Sequence, residues 1–413
     1  MSTVEALFFF AFLYPLVMAW TWMIGGIWFF FKYEFRDRSL PVPSQEGASI
    51  IIPCFNEDEQ VRETIRYALQ TQYPNFEVIA VNDGSSDRTA EILDELAEQH
   101  ERLRVVHLAN NQGKAFALKS GAMVSQYEYL ICIDGDALLH PHAVLWMMHH
   151  LLNFRVVGAV TGNPRIINRS SILGKLQVGE FSSIIGLIKR AQRTYGQIFT
   201  VSGVIAGFRK TALAQVGFWS PDKITEDIDI SWKIQMEKWK IHYVPHALCY
   251  IYMPETFTGL WKQRVRWAQG GVEVLKTYLP KLFKLKYLGM WPVAIECLLS
   301  VIWSYLILFI VFLFISGFLI DYPTALQVHS LMPQWYGVIL AMTCLIQFFI
   351  SLWIDKRYDH QRFFRNYFWV IWYPIFFWVL SVTTTVVAVP KALFNRNKRA
   401  RWVSPDRGFK GEE

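Results

Sequence analysis

Aspartates recur along this chain at positions that suit phosphate and metal chemistry: Asp83 in VNDGSSD, Asp134 and Asp136 in DGD, and Asp227 in TED, followed by QRVRW at 263–267. Two carboxylates at i and i+2 on a strand end point to one side. They offer hard oxygens to Mg²⁺ or Mn²⁺, whose other positions are left to water and substrate phosphate. Asp136 is the expected direct ligand, with Asp134 beside it. Such a cation stabilises a diphosphate as charge accumulates on it. Transfer of a group to a hydroxyl also requires a base within hydrogen-bond reach, and Asp227 is the candidate. Lys114, after Gly113 at a helix start, could approach phosphates. In QRVRW, Gln263, Arg266 and Trp267 share one helix face. They offer an amide, a guanidinium fork and a flat indole on which a ring can stack. Each residue also has a plain structural reading: Asp83 and Asp87 as turn and cap, Lys114 as a solvated lysine, Glu226 and Asp227 as first-turn acids after a Thr225 cap, and the tryptophan and arginines as membrane-interface residues.

The elements that must hold these groups alternate from Ala48 onward. ASIIIP, ending at Pro53, FEVIAVN, LRVVHL and EYLICIDGD read as strands. Helices are expected between them: one opened by Asn56 as cap with Glu59 in a capping box and running to Thr71, then 88–100 and 114–125. The pattern predicts a mostly parallel sheet covered on both faces, with ligands beyond the carboxyl ends of its strands. Asn56, Glu57, Asp83, the 110–114 stretch, Asp134 and Asp136 all fall there. Glycine patterns for dinucleotide or P-loop binding are absent.

The 413 residues are 53% hydrophobic and 16% aromatic, too apolar for one soluble domain and too charged for a membrane bundle alone. The first apolar run, 7–31, exceeds a signal-peptide core of roughly 7 to 15 residues and has no small-residue cleavage site after it, so it reads as a retained transmembrane helix. Further span candidates are 291–320, 335–354 and 367–389. The net charge of +7 sits beside these segments, at Lys32, Arg36 and Arg38, at Lys356, Arg357, Arg362 and Arg365, and across 391–401. That placement is the positive-inside pattern and argues against nucleic acid as a partner. The expected plan is a transmembrane helix at 1–31, a cytoplasmic catalytic domain at 32–288 with interfacial helices near 257–280, a transmembrane region of about three segments at 289–390, and a basic tail at 391–413. Three spans after a cytoplasmic domain would place that tail outside, so one segment is interfacial or re-entrant, or the charge rule fails. Pro374 marks the last as the one to break. Glu296, ionisable near the start of a span, points to a wet channel or bundle interior. The cysteines form no C-x-x-C pair, which suggests neither zinc nor a disulfide framework.

As an ordered set over 48–267, these motifs resemble the processive family-2 glycosyltransferases, the cellulose, hyaluronan, chitin and poly-N-acetylglucosamine synthases. IIPCFNE, VTGNPRI, GEFSSIIGLIKRAQRTYG, TVSGVIAGFR, ITEDIDISWK, MPET and RARWVSPDRG look most like the bacterial poly-β-1,6-N-acetylglucosamine synthases, which spreads the likeness over nearly the whole chain. The resemblance implies a GT-A α/β fold with flanking transmembrane helices, UDP-N-acetylglucosamine as donor, Mg²⁺ or Mn²⁺, inversion at the anomeric carbon, and a β-1,6-linked biofilm glycan passed across the inner membrane. It further implies a small membrane partner subunit. By residue, it implies donor contacts from Pro53, Asn56, Glu57, Asp83, Lys114, Asp134, Gln263 and Arg266, metal at Asp134 and Asp136, acceptor contacts from Gly203 and Trp267, and catalysis by Asp227 with Glu226 and Asp136. Other readings stay open: a different β-glycan synthase, a non-processive enzyme that glycosylates a membrane lipid, or an export or scaffold protein with an inactive sugar-binding domain.

Overall fold

The structure, a computed structural model, describes residues 3–36, 39–169, 171–331, 334–358, 363–370 and 373–395. Arg38, Arg362 and the tail from 396, with RARWVSPDRG, lie outside the described residues.

Apolar helix α1 (Thr3–Phe29) widens into a π-helical stretch, Phe30–Glu34. The order is then β1 (Ala48–Cys54), α2 (Val61–Leu69), β2 (Phe76–Asn82), α3 (Thr89–Gln99), β3 (Leu103–His107), α4 (Lys114–Val124), β4 (Tyr129–Ile133), β5 (Leu138–Leu139), α5 (Ala143–Asn153) and β6 (Val157–Ile166). One helical rod follows, α6 (Ile172–Glu180) and α7 (Ile188–Tyr195) joined by the π segment Phe181–Leu187. After it come β7 (Ile205–Arg209), α8 (Lys210–Gln215), α9 (Glu226–Met236), β8 (Lys240–Ile251) and the long α10 (Phe257–Leu282). The chain continues through α11 (Trp291–Ser316), α12 (Gln334–Asp355), α13 (Phe363–Val370) and α14 (Tyr373–Phe394).

The sheet order is β3-β2-β1-β4-β7-β6-β8-β5. Strands β3, β2, β1 and β4 are parallel, as the sequence pattern predicts. Beyond β4 the sheet is mixed, because β7 runs antiparallel to both β4 and β6. Side chains of β1 alternate between layers: Ile50 and Ile52 join one buried cluster with Ile65 and Leu93, and Ile51 joins the other with Leu118. Phe29, from the end of α1, is buried in that second cluster and so inserts the apolar helix into the domain core.

Two local expectations fail. Asn56 has φ +53, the left-handed conformation that asparagine tolerates, and its Oδ1 accepts from Ser86 N at 2.9 Å instead of capping a helix. The helix starts only at Val61. Thr225 does precede α9, but its side chain makes no capping hydrogen bond.

Among the described residues four helices are long and apolar enough to cross a membrane: Val4–Glu34, Leu285–Ser316, Trp335–Tyr358 and Phe376–Phe394. The expected segment 367–389 is divided between α13 and α14, with Pro374 near the start of α14 rather than in mid-helix. Helix α14 runs beside α10 in the same direction, with Phe376 6.4 Å from Phe257 at one end and Lys276 Nζ donating to Leu393 O at 2.8 Å at the other. Helix α10 is itself held to the sheet domain by Arg264 on Glu180 at 2.7 Å and by the Tyr278 hydroxyl on Asp229 at 2.7 Å. Both ends of α14 therefore meet a helix that is bound to the sheet domain.

A buried ion network joins the apolar helices to the domain. Arg190 of α7 contacts Glu34 at 2.8 Å and Asp355, at the end of α12, at 3.0 Å, and Arg165 of β6 reaches Asp355 at 2.6 Å. Tyr358 adds a hydroxyl to Glu34 at 2.7 Å. Removing one partner strands a buried charge. Arg190→Met should destabilise the protein by about 3–5 kcal/mol, read as a lowered Tm in detergent, and pairing it with Glu34→Gln should recover part of the loss.

Candidate active site

The site grows from strand ends. Asp83 follows β2, is fully buried, and accepts from Gln112 N and Gly113 N at 2.8 Å each. Burial pushes its carboxyl up, and these two N–H donors oppose the shift. Gly84, at φ +67, lies so close to the backbone of Asn110 that a Cβ would overlap it. Asp83 thus fixes the 110–113 loop that delivers Lys114. Glu57 is buried, and its N–H donates to Thr89 Oγ1 at 2.8 Å. Gly135 leaves room for the carbonyl of Pro53. Among the described residues Pro53, Asn56, Glu57 and Asp83 are not part of the wall of the main cavity and stand behind it at the strand ends. Their geometry shapes the loops behind it.

The structure does bring Lys114, Asp134, Asp136, Gly203, Glu226, Asp227, Gln263, Arg266 and Trp267 to a single cavity of about 1520 Å³. Lys114 Nζ lies 2.6 Å from Asp134 and 2.8 Å from Glu226, and donates to Gly203 O at 3.4 Å. Burial works against its charge, yet the two carboxylates hold it well above the ordinary lysine value. The same ammonium opposes the effect of burial on both partners: the Glu226 carboxyl is lowered, while Asp134, with Asp136 adding its charge, is still raised. Burial and the Glu226 charge push Asp227 up to about 6 against the pull of Lys114. Its Oδ1 accepts from Ile228 N at 2.9 Å.

Asp134 and Asp136 fit a divalent cation. Both line the cavity, and the Lys114 ammonium already stands on Asp134 where positive charge is accommodated. Among the described residues no cluster of three or more His, Cys, Asp or Glu side chains forms a closed metal cage. A two-carboxylate donor set suits an ion that completes its shell with phosphate and water.

Helix α10 closes the site. Gly270 lets it press onto Thr225, directly before Glu226 and Asp227, and Glu273 Oε2 accepts from Ile224 N at 3.5 Å. Arg264 positions the expected ring-stacking residue, with its guanidinium 4.2 Å from the Trp267 ring centroid while it also pairs with Glu180.

A family model described as glycosyltransferase like family 2 matches residues 45–270. Poly-β-1,6-N-acetyl-D-glucosamine synthase of Staphylococcus epidermidis is 42% identical over 97% of this chain and 98% of its own length. The chain belongs to the family-2 glycosyltransferases. The synthase of that name from Staphylococcus aureus is 39% identical over 97% of this chain and 98% of its own. A solved mannosyltransferase from Pyrobaculum calidifontis, in complex with GDP-Man and Mn²⁺, superposes with TM-score 0.62 at 19% identity, covering 96% of this chain and 99% of the other. The fold is GT-A.

The cavity of this glycosyltransferase is also lined by residues that motif spacing passed over. Lys189 and Gln192, on one face of α7, line the same cavity. Burial pushes Lys189 down to about 7 against the nearby Asp227 charge. A lysine three residues from a glutamine within GLIKRAQRTYG was the available signal, and it looks like an ordinary solvated face. The packing of α10 predicts a contrast between neighbouring glycines. Gly270→Ala should lower stability by about 1–3 kcal/mol and slow transfer, because its methyl overlaps Thr225 Oγ1, whereas a Cβ at Gly271 meets only Phe199 Cζ, at 3.6 Å. Thermal unfolding and initial rates of both variants check this, with Gly271→Ala retaining the wild-type Tm.

Proposed function

We propose that this glycosyltransferase polymerises N-acetylglucosamine from UDP-N-acetylglucosamine into β-1,6-linked poly-N-acetylglucosamine, a biofilm matrix glycan, and passes the product across the bacterial inner membrane. The observation that carries the proposal is the continuity of the cavity. Its wall runs from Asp134 and Asp227 to Tyr14 and Trp22 of α1, Ser300 and Trp303 of α11, Gln347 of α12 and Ser381 of α14. A donor site that opens into apolar helices suits an acceptor that leaves through them.

In the proposed reaction Asp227 takes the proton of the acceptor 6-hydroxyl, whose oxygen bonds to the anomeric carbon as the bond to UDP breaks and UDP departs with the electron pair. Attack from the opposite face inverts that carbon. Gln263 and Arg266 bind the diphosphate, and Trp267 stacks on the acceptor ring. Lys114 offers a mobile positive charge to the phosphates, Glu226 holds it when the donor is absent, and Gly203 gives the acceptor room beside Asp227. Mg²⁺ or Mn²⁺, held by Asp134 and Asp136, would stabilise the charge on the leaving diphosphate.

The packing supports a topology of α1, α11 and α12 as spans, with α10 and α14 lying at the interface. That arrangement keeps the catalytic domain and the tail beyond Asn395 on the cytoplasmic side, where the basic residues of 391–401 satisfy the positive-inside pattern. Cysteine labelling from each side tests it: a cysteine at Asn395 should react only from the cytoplasmic face, and reaction from outside would make α14 a fourth span.

The reaction is tested by giving purified protein, with and without a small membrane partner subunit, radiolabelled UDP-N-acetylglucosamine and Mg²⁺. The expected product is a long polymer cleaved by a β-1,6-hexosaminidase; a short lipid-linked product would overturn the reading. Asp227→Asn should lower kcat by about 10²–10⁴-fold without loss of membrane insertion. Because Asp227 must be ionised to accept the proton and its value is raised to about 6, kcat/KM should fall as pH drops below that point. The Asn variant should lack that acid limb.

A further inference from the structure

Lys189 is 5% exposed, and its ammonium has a hydroxyl as its partner, Thr161 Oγ1 at 3.2 Å. The same hydroxyl accepts from Ser202 N at 2.7 Å, which ties it to the segment leading to Gly203 and Asp227. Among the described residues Lys189 forms no salt bridge. The Asp227 charge is near but does not pair with it, and a buried ammonium outside an ion pair is costly unless further acceptors reach it. One helical turn on, Gln192 is 4% exposed; its Oε1 accepts from Phe199 N at 3.0 Å and its Nε2 donates to Glu296 Oε2 at 3.0 Å. Glu296 stands near the start of α11 and lines the cavity with Trp22. A cation, an amide and a carboxylate thus follow one another between the transfer point and the apolar helices. Phosphate would match the ammonium but not the carboxylate. An acetamido sugar matches both, with a carbonyl acceptor, an N–H donor and hydroxyls on one ring.

We infer that Lys189, Gln192 and Glu296 form a binding subsite for an N-acetylhexosamine unit of the acceptor strand, with Lys189 donating to the acetamido carbonyl and Glu296 accepting from a hydroxyl or the amide N–H. The inference rests on the polymerase reading and adds a specificity to it: the transferase selects acetylated acceptor. A free amine at that position would be cationic and would face Lys189.

The test uses the full chain in detergent with its donor and Mg²⁺, extending either a β-1,6-linked N-acetylglucosamine tetrasaccharide or its de-N-acetylated counterpart. Wild type should show an acceptor KM at least about tenfold lower for the acetylated form. Lys189→Met should narrow that gap to about twofold with the donor KM unchanged, and Lys189→Gln supplies a second variant that retains a donor group. Glu296→Ala should raise the acceptor KM and shorten the polymer, with Glu296→Gln in between. A fall in kcat on both acceptors with the gap intact, or a wild type that does not discriminate, overturns the subsite. Failure of wild type to extend either oligosaccharide overturns the polymerase reading instead.

Discussion

Asp134, Asp136, Glu226 and Asp227 share one largely desolvated cavity, and their mutual repulsion is the constraint around which the site is organised. Lys114 answers it by standing between Asp134 and Glu226. These carboxylates come from the end of β4 and the start of α9, so a single ammonium fastens two separate parts of the sheet domain. It also divides the acids by role. Glu226 is lowered by its contact with Lys114, while Asp134, despite the same contact, and Asp227, beside the charge of Glu226, are left with a raised affinity for protons. A carboxylate held ionised by Lys114 and one with a raised proton affinity thus sit on adjacent residues of one helix turn.

The position of Lys114 depends in turn on backbone geometry that has no charge of its own. Asp83 spends both carboxylate oxygens on the amides of Gln112 and Gly113, and Gly84 makes room for that loop. On the opposite side, the absence of a side chain at Gly270 lets α10 bear on the turn that carries Glu226 and Asp227. The amphipathic α10 and a strand-end loop thus converge on one ion cluster.

The first half of the sheet was legible because runs such as SIIIP and FEVIAVN are buried on both faces and carry a strong β-branched signal. The second half was not. Strand β6 contains Gly158, Gly162 and Pro164, residues that weaken a strand signature, and its hydrogen bonding is completed by β8, more than seventy residues on. Within the site, acids spaced in short motifs could be read directly. The hydrogen bonds between Asp83 and the 110–113 loop could not, since their donors, Gln112 and Gly113, lie 29 and 30 residues further along the chain. Lys189 was hidden for a related reason: its meaning comes from burial, and α7 is buried only because the apolar helices pack around it. The same applies to α14, whose composition suits a span and whose two ends meet α10.

The Arg190 network has a consequence for the life of the chain before it is an enzyme. Three of its members, Glu34, Arg190 and Asp355, are made early, midway and late in translation. While the ribosome is still making α12, Arg190 has Glu34 as its acidic partner, and the carboxylate that it shares with Arg165 has not yet been made. Completion of α12 supplies Asp355 and closes the network. The wall that joins β6 and α7 to the apolar helices is thereby completed only when synthesis has reached Asp355, so most of the chain must exist before this part of the fold can close.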